Sequence, residues 1–95
     1  MAIRVFVKRR VPDEKVEALR GCIDRLRNMS TGLPGYVSGE TLRRIDGPGE
    51  LLVISKWKTQ KEWRQWFESA ERSKIQRQID ELLGSETTYE IYDFD

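Results

Sequence analysis

The sequence predicts an α+β domain of the ferredoxin-like split βαβ type, a four-stranded antiparallel sheet with both helices on one face. Three observations predict it. Ile3, Val5 and Val7 alternate with other residues, and then Val16, Leu19, Ile23 and Leu26 step by three or four; the period changes from that of a strand to that of a helix. Asp46-Gly47-Pro48-Gly49 is a turn between two strand patterns, which predicts an antiparallel hairpin. The stretch Leu51 to Phe67, LLVISKWKTQKEWRQWF, passes from strand to helix within itself and holds all three tryptophans. The order is therefore β-α-β-β-α-β, and with one core that order gives the split βαβ sandwich.

Each element has its own signal. The first strand is expected over about residues 2–10, ended by Pro12, and the first helix over about 13–29 with Asp13 as N-cap. Cys22 lies beside the apolar stripe of that helix and is expected to be a small core residue rather than a reactive thiol. Ser30 to Gly35 reads as a loop and Tyr36 to Ile45 as the second strand, with Gly39 the candidate bulge. Leu51 to Ile54 is an unbroken apolar run, which suggests a third strand buried on both faces. The helices cover only one face of the sheet, so the other is expected to meet a second copy, giving a homodimer joined through sheet faces. Thr59-Gln60-Lys61-Glu62 has the form of a capping box. After it, Trp63, Trp66 and Phe67 fall at i, i+3 and i+4, on one side of a helix. Past Ser69 the helix continues or restarts through Ile75, Ile79, Leu82 and Leu83, with Glu68 and Arg72 spaced for an i, i+4 pair and Gly84 as the stop. Thr87 to Phe94 is the last strand.

Ninety-five residues suit one domain, 1–95. The formal charge of +1 implies no large field, which argues against general nucleic-acid binding. The third strand, ELLVISKW, also lacks the aromatic pattern of an RNA-binding sheet. Lys8-Arg9-Arg10 and Arg43-Arg44 read as solvated strand ends. The single cysteine allows no intrachain disulfide and fits a reducing, cytoplasmic compartment. No signal peptide is visible, and the longest strictly apolar run is far short of the roughly 20 residues of a membrane span. There is no histidine, which removes the commonest general base, zinc ligand and haem ligand together. No CxxC, P-loop or GxGxxG is present, so no metal and no cofactor is expected.

The aromatic helix remains. Trp63, Trp66 and Phe67 either pack the core, which composition alone favours, or wall a cavity between helix and sheet that would suit a flat aromatic ligand. Here the residues resemble a family. Leu33-Pro34-Gly35-Tyr36, then Val53-Ile54-Ser55-Lys56-Trp57, then Trp63, Trp66 and Ser69 are similar to the antibiotic biosynthesis monooxygenase superfamily. Its pattern is an LxGF/Y turn before strand two, a tryptophan ending strand three and an F/W-x-x-W-x-x-S helix. The resemblance covers roughly residues 33–76. It implies a dimeric α+β barrel, and activities that include cofactor-independent oxygenation of polycyclic phenols and quinols, quinol oxidation and oxidative haem degradation.

The haem-degrading branch resembles this chain at Trp66. The branch's axial histidine falls at Gln76 here, and its strand-one asparagine at Lys8. Glutamine is not a useful ligand for haem iron, so haem degradation is not expected. The resemblance therefore implies a cofactor-independent monooxygenase acting on a small aromatic, phenolic or quinol substrate. Trp63, Trp66 and Phe67 would form the cavity wall, Lys8 and Arg72 would stabilise an anion, and Gln76 would supply a polar contact. Lys8 is otherwise an exposed strand-end lysine. The alternative is a non-catalytic dimeric module of the same fold that binds a small molecule or serves in a stress response.

Overall fold

The computed structural model describes residues 2–94. In chain order the elements are β1 (Ile3–Arg10), a 3₁₀ turn (Asp13–Lys15), α1 (Val16–Ser30), β2 (Tyr36–Arg43), β3 (Glu50–Trp57), α2 (Gln60–Phe67), α3 (Ala70–Leu83) and β4 (Thr88–Asp93). The four strands form one sheet in the order β2-β3-β1-β4, and every neighbouring pair is antiparallel. This is the ferredoxin-like α+β architecture.

Alternation along β1 sets the two faces. Ile3, Val5, Val7 and Arg9 are buried, whereas Arg4, Phe6, Lys8 and Arg10 are partly or fully exposed. Ile3 pairs with Trp57 and Val7 with Val53, so Val53, Ser55 and Trp57 share the inner face. The helices cover that face in two clusters. One joins Leu19, Cys22 and Ile23 of α1 to Ile75, Ile79 and Leu83 of α3. The other joins Ile3, Val5, Val7 and Trp57 of the sheet to Trp63 of α2. Trp57 is the largest fully buried side chain, and its indole N–H donates to Ser55 Oγ at 3.1 Å. Burying a ring of that size contributes roughly 3 kcal/mol, provided that its one polar atom is satisfied as it is here.

Some local expectations are corrected, while the restart of the helix past Ser69 and the stop at Gly84 are met. Asp13 does not cap α1: it lies inside the 3₁₀ turn, and neither that turn nor α1 has a side-chain cap bond. The bulge of β2 falls between Tyr36 and Ser38 rather than at Gly39. Gly39 has a different reason to be small, because a Cβ there would come within 2.6 Å of Tyr36 Oη. Thr59 caps α2 by accepting from the Glu62 N–H at 3.1 Å, but the Glu62 carboxylate accepts from the Thr59 hydroxyl at 2.9 Å instead of reaching back to the backbone. The aromatic helix ends at Phe67 and a second helix starts. Ser69 makes the break: its hydroxyl donates to the Trp66 carbonyl at 2.8 Å and accepts from the Arg72 N–H at 3.3 Å. The break leaves Glu68 as the C-cap of α2 and Arg72 in α3, and no ion pair joins them among the described residues. Gly84 closes α3 in the left-handed conformation at φ 65°, its N–H bonded to the Asp80 carbonyl.

β3 is not buried on both faces within one chain. Leu52 and Ile54 on the outer face stay partly exposed. Phe6, packed edge-on against Tyr92 at 5.1 Å, lies in the adjoining rows of the same face, and so does the exposed Leu42.

Candidate functional site

Between the two core clusters the packing leaves a cavity of about 90 Å³. Its floor is the sheet, with Val7, Arg9, Val53, Ser55 and Trp57, and its roof is Ile23 and Leu26 of α1 with Trp63, Trp66 and Phe67 of α2. Tyr36, Gly39 and Tyr89 line it from the flanking strands, and Arg72 and Gln76 from α3. The missing Cβ of Gly39 is what lets the Tyr36 ring lie there, 5.3 Å from Trp57 and edge-on to it.

The aromatic side is a connected set of rings. Trp63 lies 4.9 Å from Phe67 in a tilted pair, and Phe67 meets Tyr89 edge-on at 5.1 Å. Trp63 is buried, whereas Trp66 is half-buried. Trp66 also lines an external groove of about 390 Å³ together with Met29, Leu33 and Pro34. It is therefore a partition with space on both sides.

The polar end is built on α3 and β1. The Arg72 guanidinium stacks 4.2 Å above the Phe67 ring and donates to Tyr89 Oη at 2.9 Å. Arg9 Nη2 donates to Gln76 Oε1 at 3.2 Å. Gln76 Nε2 in turn donates to Asp80 Oδ1 at 2.9 Å and to Thr87 Oγ1 at 3.0 Å. Gln76 thus joins the middle of α3 to the end of β1 and to the segment before β4. Burial pushes the Arg9 pKa down, and the neighbouring Arg72 charge adds to this against opposing contributions from Tyr89, Asp80 and Cys22. An arginine so affected is still a cation near neutral pH. Beyond this end, Arg72, Gln76 and Tyr89 also line an open surface cleft with Asp80, Gly84 and Thr87.

Five of the six residues expected from sequence, Trp63, Trp66, Phe67, Arg72 and Gln76, come together around this cavity. Lys8 does not. It sits on the outer face and pairs with Glu90 at 3.1 Å. The reason is parity: Val7 and Arg9 point inward, so Lys8 must point outward. The strand-one cation at the cavity is Arg9 and not, as expected of the Lys8-Arg9-Arg10 cluster, a solvated strand end. Its alternation with Ile3, Val5 and Val7 was the available signal. Tyr89, expected only as a residue of the last strand, lines the cavity as well. Among the described residues no group of three or more His, Cys, Asp or Glu is placed to hold a metal ion, and no helix is long and apolar enough to cross a membrane.

A small helix-covered sheet with an aromatic cavity at its helix–sheet interface defines the class. The chain belongs to the antibiotic biosynthesis monooxygenase family, whose sequence model matches residues 2–78. Among solved structures, a conserved protein of Methanosarcina mazei Go1 is 26% identical, with a TM-score of 0.88 over 97% of this chain and 91% of the other. The protein Rv0793 of Mycobacterium tuberculosis is 18% identical, with a TM-score of 0.85 over 98% of this chain and 94% of the other. A mutant of SnoaB, a cofactor-independent oxygenase of Streptomyces nogalater, is 15% identical, with a TM-score of 0.84 over 98% of this chain and 92% of the other. These likenesses are likenesses of fold. Among curated proteins no sequence match reaches significance.

Proposed function

We propose that this protein is a cofactor-independent monooxygenase acting on a small aromatic phenol or quinol bound in the cavity beside Trp66. The observation that carries the reading is the cavity itself: connected aromatic walls with a buried cation, Arg72, at one end. Family membership and the fold likeness to SnoaB support it.

The chemistry asks little of the protein. A phenolate is electron-rich enough to pass an electron to O₂, and recombination of the two radicals forms a C–O bond. The resulting hydroperoxide loses water, so one oxygen atom stays as a quinone carbonyl. The other leaves as water with the hydroxyl and ring hydrogens of the substrate. Every electron comes from the substrate. The site must hold the ring, exclude water and favour the anion. Arg72 serves the last role, with Tyr89 Oη held against it. Trp63, Trp66 and Phe67 hold the ring. Gln76 supplies the polar contact by fixing Arg9.

Size narrows the substrate. A cavity of about 90 Å³ is smaller than the roughly 150 Å³ that takes up benzene. A single ring is therefore the upper limit, and one wall yields to admit it. Trp66, with the external groove behind it, is the wall with room to move. The protein works as a homodimer, its outer sheet faces joined through Phe6, Leu42, Leu52, Ile54 and Tyr92. A reducing cytoplasm suits the lone, buried Cys22.

The test is oxygen consumption with a panel of hydroquinones and anthrones. Uptake above the protein-free rate, with hydroquinones preferred to the larger anthrones, is expected. Tight binding of a hydroquinone with no oxygen uptake would identify a non-catalytic binding module instead.

A further inference from the structure

We infer that the polar end of the cavity is a two-arginine anion site and that its ligand is a single-ring aromatic carboxylate, gripped between Arg9 of β1 and Arg72 of α3. The aromatic part of this inference rests on the function proposed above; the anion part stands on the arginines alone.

Arg9 is 5% exposed and Arg72 is 8% exposed. Both line the same cavity. Burial of a charge is costly unless an opposite charge or hydrogen bonds compensate it. Among the described residues, the ion pairs join Lys8 to Glu90, Arg20 to Glu17, and Arg44 to Asp46 and Glu50. Among the described residues no carboxylate pairs with Arg9 or Arg72. Asp80 is the acid near enough to influence Arg9, but its Oδ1 accepts from Gln76 instead. Burial is the main reason that the Arg9 pKa is lowered, and the nearby Arg72 charge adds to it.

The hydrogen-bond count agrees. A guanidinium has five N–H donors. Arg9 makes one side-chain hydrogen bond, to Gln76, and Arg72 makes one, to Tyr89. Arg9 Nε is fully buried and has no partner at all. A buried donor left unmade is costly, and here it belongs to a cation in the wall of a cavity. The surroundings also hold both groups ready. Phe67 lies flat beneath Arg72, and Gln76, anchored through its amide nitrogen to Asp80 and Thr87, keeps its oxygen on Arg9.

A carboxylate satisfies this geometry best. It is planar, its two oxygens can be divided between two guanidinium forks, and it shares a plane with an aromatic ring. A phenolate has one oxygen for two cations. A tetrahedral phosphate needs donors on every side, whereas the rest of this cavity is mainly apolar, with Val7, Val53, Trp57 and Trp63 among its walls, and of its other polar residues Arg27 is turned to Thr41 and Ser55 is taken by the Trp57 indole.

Calorimetric titration of the whole protein with 2,5-dihydroxybenzoate, its methyl ester, hydroquinone and inorganic phosphate tests the inference. The acid should bind about tenfold or more tightly than its ester, the range expected for a desolvated charge-assisted contact. Arg9→Gln and Arg72→Gln should each lower the acid-to-ester affinity ratio towards one, and Arg72→Lys should restore part of it. Equal affinity for acid and ester, no binding of the acid, or tighter binding of phosphate than of the acid would overturn the assignment. If either glutamine variant fails to fold, the acid–ester ratio of the wild type decides alone. Oxygen uptake is read separately. A strong acid preference without uptake would sink the monooxygenase reading and leave the anion site standing, while uptake with hydroquinone and no acid preference would do the reverse.

Discussion

At the scale of single residues, two tryptophans that line the same cavity are physically unlike. Trp57 is 1% exposed and meets space only at the cavity floor, whereas Trp66 separates that cavity from an external groove. Replacing a packed ring by a smaller one leaves a void whose cost depends on how far the surroundings collapse. Trp57→Phe should therefore lower stability by about 2 kcal/mol in denaturant unfolding, with the loss of the Ser55 hydrogen bond included. Trp66→Phe should keep the melting temperature close to wild type but weaken binding of hydroquinone or 2,5-dihydroxybenzoate. A drop of several degrees in Trp66→Phe with ligand binding unchanged would make Trp66 structural and remove it from the site. Trp63→Phe belongs in the same series, since Trp63 is buried yet lines the same cavity.

At the scale of elements, the order of strands and helices was legible because each buries one face, and burial writes its period into the chain. The change at Ser69 was less legible. An apolar stripe continues across it at helical spacing, so only the paired hydrogen bonds of its hydroxyl reveal that one helix ends and another starts. The site shows the same division. Trp63, Trp66 and Phe67 announce themselves by spacing, whereas Arg72 and Gln76 enter only through the family resemblance. Arg9 was hidden because a charged residue at a strand end is ordinarily solvated, and only its parity with Ile3, Val5 and Val7 sets it apart from Lys8 and Arg10. Its burial comes from α3, far away in sequence. Ser69→Ala should cost about 1 kcal/mol, the usual value of a lost N-cap, measured by chemical denaturation. It should also disturb ligand binding, because the same hydroxyl holds the Trp66 carbonyl. A variant as stable as wild type would mean that backbone geometry alone sets the break.

At the scale of the whole molecule, the outer sheet face offers Leu52 and Ile54 of β3 to solvent in a single chain, beside Phe6 and Tyr92. Light scattering at micromolar concentration should give the mass of two chains. Ile54→Lys places a charge in the middle of that face and should yield a folded monomer, with inner-face packing and the far-ultraviolet spectrum intact. A monomeric wild type would dismiss the sheet-face dimer.

The division of the core into two clusters also equips the molecule with a pair of separate reporters. Trp57, Trp63 and Trp66 all lie around the cavity, in the cluster built on the sheet and α2. Cys22, the one thiol of the chain, lies in the other, between α1 and α3. Indole emission therefore follows one half of the interior, and the rate at which a thiol reagent reaches Cys22 follows the other. Ligand that stiffens only the neighbourhood of the cavity would shift emission while leaving thiol labelling at its original rate. Ligand that tightens the entire fold would slow labelling as well. A native protein of this size thus distinguishes local from global stabilisation without an added dye or an engineered label.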